Sequence, residues 1–385
     1  MSAIPSLDDL LLLGRSSGLD VVGVAPAVRF SETCTTLEYR RSAGLHGGMA
    51  FTYRNPERST DPARSLPDAA TLIVGATAYR HAQPPAPAGS GPQGRVARYA
   101  SARHDAPLRA GLGAVADALR SAGFRARLLV DDNALVDREA ARRAGIGFYG
   151  KNSNLLIHDH GSWFLLGSVL TDAPLSVDRC VEPTPADGTD GCGSCTRCIE
   201  HCPTAAIVAP GVVDARRCLS WLLQQRGTFP RAYRRALGDR IYGCDDCQEV
   251  CPPNRSAAPD PHPDTVAGGD GPGAWVPLLD LLGATDDELM KRIGRWYVAD
   301  RDPAVVRRNA LVALGNIGDG ADDATVAAIR AALHHPVGQV RAHAVWAAQR
   351  LGLLHLLADV SADPDPCVQD ELAAVADHRL RVGQT

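Results

Sequence analysis

Eight cysteines between Cys192 and Cys251 fall into two runs, Cys192-x2-Cys195-x2-Cys198-x3-Cys202-Pro203 and Cys218 … Cys244-x2-Cys247-x3-Cys251-Pro252. This is the spacing of two cubane iron–sulfur clusters, in which the last cysteine of each run ligates the other cluster. One cluster is therefore assigned to Cys192, Cys195, Cys198 and Cys251, and the second to Cys202, Cys218, Cys244 and Cys247. The stretch from Cys218 to Cys244 replaces the usual two-residue spacer with an insert that reads as helical from Trp221 to Leu237. Structural zinc is the alternative for paired Cys-x2-Cys groups. Zinc does not account for a triple at x2, x2 closed by x3-Cys-Pro and then a second Cys-x2-Cys-x3-Cys-Pro. A disulfide framework fits less well still. The segment MSAIPSLDDLLLLGRSS reads as acidic and amphipathic, not as a secretory leader, so the expectation is a cytoplasmic protein with reduced thiols. Cys34, Cys180 and Cys367 are left as ordinary semi-buried thiols.

A chain of 385 residues with 45% apolar content has room for two to three domains. No apolar run reaches the roughly 18 residues of a membrane span. The net charge of −4 gives no general attraction to a polyanion, so a nucleic-acid surface needs local clustering. Two basic groups qualify: Arg226, Arg231, Arg234, Arg235 and Arg240 inside the insert, and Lys291, Arg292, Arg295, Arg301, Arg307 and Arg308 near the last domain. Solvated helix faces are the plainer reading of both. Lysine is scarce, Lys151 and Lys291 standing against 38 arginines. A lysine kept under that bias points to a place where a compact ammonium fits and a guanidinium does not. Lys151 sits in the glycine-rich turn Gly147-Phe148-Tyr149-Gly150-Lys151-Asn152.

Residues 21–27, 71–79 and 125–131 read as buried strands, with a helix from about Leu108 to Ala122 between the last two, an α/β layer pattern. Residues 81–96, rich in Pro and Gly, read as a mobile loop. A second helix is expected over Ala134–Arg143. Asn154–His158 and Trp163–Thr171 are expected to pair as a hairpin across Asp159-His160-Gly161. Residues 1–174 would form the α/β domain and 175–262 a ferredoxin-like two-cluster domain. After the Pro/Gly-rich stretch 253–273, residues 275–385 would be α-helical. There Val306-Arg307-Arg308-Asn309-Ala310-Leu311 recurs as Val340-Arg341-Ala342-His343-Ala344-Val345, an offset of about 34 residues, with Pro303 and Pro336 opening the helices and Gly315 and Gly352 closing them. That is the mark of a short HEAT-like array. A plain helical cap on the cluster domain is the alternative.

No Gly-x-Gly-x-x-Gly opens a helix after a strand, which argues against a dinucleotide site. Nor is there an Asp-x-His-x-x-Gly run to supply a lower ligand to a corrinoid. Gly44-Leu45-His46-Gly47-Gly48-Met49, Leu66-Pro67-Asp68-Ala69-Ala70, Val130-Asp131, Asp137-Arg138, Ala144 through Asn152 and Gly161-Ser162-Trp163-Phe164-Leu165-Leu166-Gly167, followed by the two cysteine runs, resemble the epoxyqueuosine reductase family. The resemblance covers about residues 1–320 and enters the helical repeat through Arg308-Asn309-Ala310-Leu311-Val312-Ala313-Leu314-Gly315-Asn316.

The resemblance implies an α+β multidomain enzyme with a nitroreductase-like corrinoid domain. Its cofactors would be two 4Fe–4S clusters and cobalamin. Electrons from an external donor, such as a flavodoxin or ferredoxin system, would pass through the clusters to cobalt and remove the epoxide oxygen from epoxyqueuosine at the wobble position of tRNA. The chain would act as a monomer, away from membranes, on the anticodon arm. The family's proton donor falls on Asp131. An aspartate with a free pKa near 3.9 donates at pH 7 only if burial raises it, so Asp131 is expected to be buried. Asp132, sent to the opposite face of a strand, or Asn133 would cap the helix at Ala134. Corrinoid contacts carry over to Tyr99, Arg138, Lys151, Asn152, Asn154, Leu155, Ser162, Leu166 and Asp245, and tRNA contacts to Arg231, Arg234, Arg235 and Arg308. One departure stands out. Where the family continues Arg-Tyr-Ala with x-Gly-x-Asp-Tyr-His, this chain has Ser101-Ala102-Arg103-His104-Asp105-Ala106, leaving His104 and Asp105 as replacements in a shifted register. A corrinoid reductive dehalogenase and a ferredoxin-type electron carrier are the competing classes.

Overall fold

The structure, a computed structural model, describes residues 5–157, 160–176, 191–256, 271–294 and 296–382. The apolar runs read as strands do form strands. β1 (Val21–Pro26), β2 (Thr71–Ala78), β3 (Ala126–Val130) and β4 (Phe164–Thr171) make one sheet in the order β1-β2-β4-β3, every pairing antiparallel. Alternate residues of β2 serve opposite faces. Ile73 joins Leu108, Leu112 and Val115 of α2 (Asp105–Ser121) and Leu10 of α1 (Leu7–Ser16), while Leu72, Val74 and Ala76 join Phe30 and Ala140 of α3 (Asp137–Arg143). The sheet is thus covered on both sides, which is why β2 reads as an unbroken apolar run. Gly75 and Gly167 face each other across β2 and β4. A Cβ on Gly75 would meet Leu19 Cδ1 at 2.9 Å and one on Gly167 would meet Leu112 Cδ1 at 2.8 Å, so this pair leaves the hollow that seats the two leucines.

Several local expectations change. β3 ends at Val130, because Asp131 turns the chain out of the strand at φ 55°. Asp132 Oδ1 then accepts from Ala134 N (2.8 Å), and α3 starts at Asp137, three residues later than the apolar pattern suggests. Leu155–Leu156 pair back onto Phe148–Tyr149 instead of onto β4, leaving a single bridge from Ile157 to Gly161. His158 and Asp159, placed in the expected hairpin, lie outside the described residues, as does Cys180; Cys34 is buried and Cys367 exposed.

The chain divides into two units, one of residues 1–82, 103–218 and 245–269 and the other of 83–102, 219–244 and 270–385. In the second, Gln93–Val96, read as part of a loop, is the middle strand of a small sheet, parallel to Arg240–Tyr242 and antiparallel to Trp275–Pro277. Partners distant in sequence supply its backbone hydrogen bonds, so no local pattern announces it. Helices α4 (Arg231–Leu237), α5 (Pro303–Ile317), α6 (Asp323–Leu333), α7 (Gly338–Arg350) and α8 (Pro366–Val382) follow. The repeated Val306 and Val340 segments lie on α5 and α7, which share one core. Asp302 caps α5 through Ala304 N (2.9 Å), with Pro303 in its first turn. α5 is buried from Ala304 through Gly315, a helix inside and not on the surface. It runs past Gly315 to Ile317, and α7 begins two residues after Pro336. The insert is not one helix. Leu219–Leu222 and α4 are separate, and Arg308 takes up the carbonyls released between them: Leu222 (2.8 Å), Gln225 (2.9 Å) and Gly227 (2.6 Å).

Candidate active site

The first cysteine quartet lies within the first unit. Burial, followed by the neighbouring Cys192, Cys198 and Cys195, pushes the Cys251 thiol up to about 11, and burial with Cys192 and Cys195 raises Cys198. Thiols that depress one another's ionisation are close in space, and they surrender their protons together when iron binds. This donor set fits a cluster. Of the second quartet, Cys202, Cys218 and Cys247 belong to the first unit and Cys244 to the second. Cys202 Sγ accepts from Ala206 N at 3.2 Å.

The glycine-rich turn spans the two cysteine runs. Lys151 Nζ donates to Gly193 O (2.6 Å), between Cys192 and Cys195, and Asn152 Nδ2 donates to Cys247 O (3.3 Å). Asn152 Oδ1 also accepts from Asn154 N (3.1 Å), and Ser153, at φ 64°, donates to Gly211 O (2.7 Å). Gly147 is required here, because a Cβ would lie 2.2 Å from Leu156 O. Ser162 is a strut. Its N–H donates to Asn254 Oδ1 (2.6 Å), its hydroxyl donates to Gln248 Oε1 (2.9 Å), and Asn254 Nδ2 returns a bond to Ser162 Oγ (2.9 Å). Gln248 and Asn254 escaped the sequence reading, although they flank Cys251 at three residues on either side. Leu155 is core, Leu166 is half-buried and Arg138 is exposed with Nη1 on Ser153 O (3.0 Å). Asp245 is buried, its carbonyl accepting from Gln248 N (2.8 Å), and Tyr99, in the second unit, lies 6.3 Å from the Tyr242 ring.

At the end of β3 the carboxyls divide their roles differently from expectation. Asp131 is exposed, because the turn carries it out of the sheet. Asp132 makes the local cap and lies 3.6 Å from Arg127, while Asn133 is held by Arg58 (2.8 Å) and by Ser59 on its carbonyl (2.8 Å). The enclosed oxygen belongs to Asp137, a half-buried residue whose Oδ1 is buried without a hydrogen-bond partner among the described residues. Burial first, then the charge of Asp131, pushes its carboxyl well above the usual range, Arg138 opposing. A folded pKa raised in this way adds stability below the unfolded value near 3.9 and loses it as pH rises through the folded one. Asp137→Asn should therefore gain thermal stability relative to the parent as pH rises above about 4. A melting-temperature difference that stays flat as pH rises would contradict the enclosed oxygen. His104 and Asp105, the shifted-register candidates, are both buried. Asp105 accepts from Arg109 Nε (2.8 Å), and the His104 ring lies 5.3 Å from His81 and 5.7 Å from Tyr79.

The basic residues need correction. Arg234 is 1% exposed, paired with Glu371 through both nitrogens (2.8 and 3.1 Å) and bonded to Phe229 O (2.9 Å). Arg308 is fully buried on the carbonyls named above, and burial lowers its guanidinium to about 9. Neither can reach a phosphate. Arg231 is exposed but engaged with Asp370 (2.6 Å) and Glu371 (3.0 Å), and Arg235 is exposed. Arg307 is also buried, and Arg295 lies outside the described residues.

A family model for a 4Fe-4S double cluster binding domain matches residues 191–254. With the eight-cysteine spacing and a mixed α/β fold, this match defines a two-cluster iron–sulfur oxidoreductase. The chain is 37% identical to the epoxyqueuosine reductase of Burkholderia pseudomallei, over 87% of this chain and 89% of that one, and 32% identical to that of Bacillus subtilis, over 90% and 87%. A crystal structure of epoxyqueuosine reductase with an epoxyqueuosine-modified tRNA stem loop superposes with a TM-score of 0.82, at 29% identity, over 96% of this chain and 97% of that one. The chain belongs to the epoxyqueuosine reductase family. It carries two 4Fe–4S clusters, and cobalamin is consistent with the family.

Proposed function

We propose that this chain reduces the epoxide of epoxyqueuosine in tRNA to the alkene of queuosine, with the two clusters delivering electrons and cobalamin as the reacting cofactor. The observation that carries this reading is the match along nearly the whole chain to an enzyme solved with an epoxyqueuosine-bearing stem loop. The sheet covered on both faces is read as a nitroreductase-like corrinoid domain, and α5 to α8 as a short HEAT-like array. Val130 pairs with Gly167, so Asp131 follows at the end of β4 where Phe164, Leu165 and Leu166 are half-buried. Cobalamin, when bound, supplies a low-valent metal able to reduce a carbon–oxygen bond. The chain's own part is the proton. Two electrons and two protons convert the epoxide to an alkene and water, and Asp131 gives a proton to the departing oxygen. The burial that such a donor requires comes from ligands closing over the exposed carboxyl. A Bacillus subtilis neighbour, 28% identical with a TM-score of 0.81, was solved with its catalytic aspartate loop swung out of the active site, which supports a movable donor.

Among the described residues no helix is long and apolar enough to cross a membrane. A cytoplasmic monomer fed by a flavodoxin or ferredoxin is the accompanying proposal, with exposed Arg231 and Arg235 as tRNA contacts. Anaerobic protein loaded with cobalamin, given a chemical reductant and an epoxyqueuosine stem loop, should yield the alkene nucleoside by mass spectrometry. No conversion at full iron and cobalamin loading would refute the substrate.

A further inference from the structure

Lys151 is one of two lysines beside 38 arginines, and it is 7% exposed. Its ammonium donates to Gly193 O at 2.6 Å, a carbonyl between two ligands of the first cluster. The same turn makes a second contact there, since a Cβ on Gly191 would fall 2.0 Å from the Phe148 ring. Among the described residues no carboxylate lies within ion-pair distance of Lys151. A buried cation without a carboxylate needs another source of negative charge. A 4Fe–4S core held by four thiolates is that source, being anionic when oxidised and more so when reduced.

We propose that Lys151 is the counter-charge of the first cluster and raises its reduction potential, resting on the two-cluster assignment above. The step is a one-electron addition to the oxidised cluster, the electron coming from the external donor, with no bond made or broken. Attraction between the ammonium and the cluster is greater in the more negative state, so the cation favours reduction. The charge also explains the residue type. A compact ammonium on a long stem reaches a single carbonyl in a tight loop, where a planar guanidinium fork would need more room. The first cluster, with this cation, accepts an electron more readily than it would alone.

Lys151→Gln keeps a donor for Gly193 O and removes only the charge, whereas Lys151→Met removes both. Iron and sulfide are measured first, because an unaltered chain lacking two clusters' content would sink the two-cluster assignment rather than the role of Lys151. Redox titration followed by paramagnetic resonance should then show one cluster midpoint falling in both variants. The expected fall is about a tenfold shift of the reduced-to-oxidised ratio, or about 59 mV for one electron. The other midpoint should stay in place. Lys151→Arg, if it loads iron, should recover most of the shift. An unchanged midpoint in Lys151→Gln overturns the proposal, as does a fall seen only in Lys151→Met, which would assign the effect to packing or the hydrogen bond. Where Lys151→Met fails to fold, Lys151→Gln alone decides.

Discussion

Asp131→Asn is expected to reduce conversion of the epoxyqueuosine stem loop by a factor of about 10²–10⁴, the usual loss when a positioned proton donor is removed. Iron content and melting temperature should stay those of the parent. Asp131 is exposed and sits at φ 55°, a conformation that asparagine tolerates as well as aspartate, so the exchange disturbs neither packing nor backbone. Asp132→Asn is the control. Its oxygen still accepts from Ala134 N, and it forfeits only a surface pair at 3.6 Å to Arg127, worth little. Equal losses in the two variants, or full turnover in Asp131→Asn, would remove Asp131 as the donor.

Replacing Glu371 by Ala should cost about 3–5 kcal/mol, because it strands the buried Arg234 guanidinium. Burial already lowers the Arg234 pKa, and Glu371 is what opposes that fall. The pair also joins α4 to α8 within the second unit, and Arg234 lies 5.5 Å over the Trp346 ring of α7, so the loss should appear as a lower denaturant midpoint. Exchanging both partners, Arg234→Met with Glu371→Leu, should recover much of it, since an apolar pair is not left uncompensated. Arg235→Ala, on the exposed side of the same helix, should stay within about 0.5 kcal/mol. A midpoint in Glu371→Ala equal to the parent's would show that the pair is hydrated and replaceable. Neutralising Arg231, Arg234 and Arg235 together, attractive from the sequence as a test of tRNA binding, would chiefly measure unfolding.

What was legible in the chain has short range. The cysteine spacings announce two clusters because ligation geometry limits the intervals between neighbouring thiolates. The runs at 21–27 and 71–79 announce strands because both sheet faces are covered, and Asp302-Pro303 announces the start of α5 because capping is settled within a few residues. The glycine-rich turn was recognisable as unusual from one lysine among so many arginines, but its target was not. Gly193 lies 42 residues away, and only folding brings that carbonyl to the ammonium.

Cluster chemistry, family and candidate donor could be read along the chain, since these reside in residue identities at close intervals. Which charges lie inside is a property of the folded chain. Arg234 meets Glu371 across 137 positions and Arg308 meets Leu222 across 86, whereas Arg235, next to Arg234, faces solvent. The fold likewise leaves Asp131 exposed, carried out of the strand by its left-handed turn, and encloses Asp137 Oδ1. Burial is set by what packs against a residue from elsewhere in the chain, and a run of arginines or aspartates read in order carries no record of those neighbours.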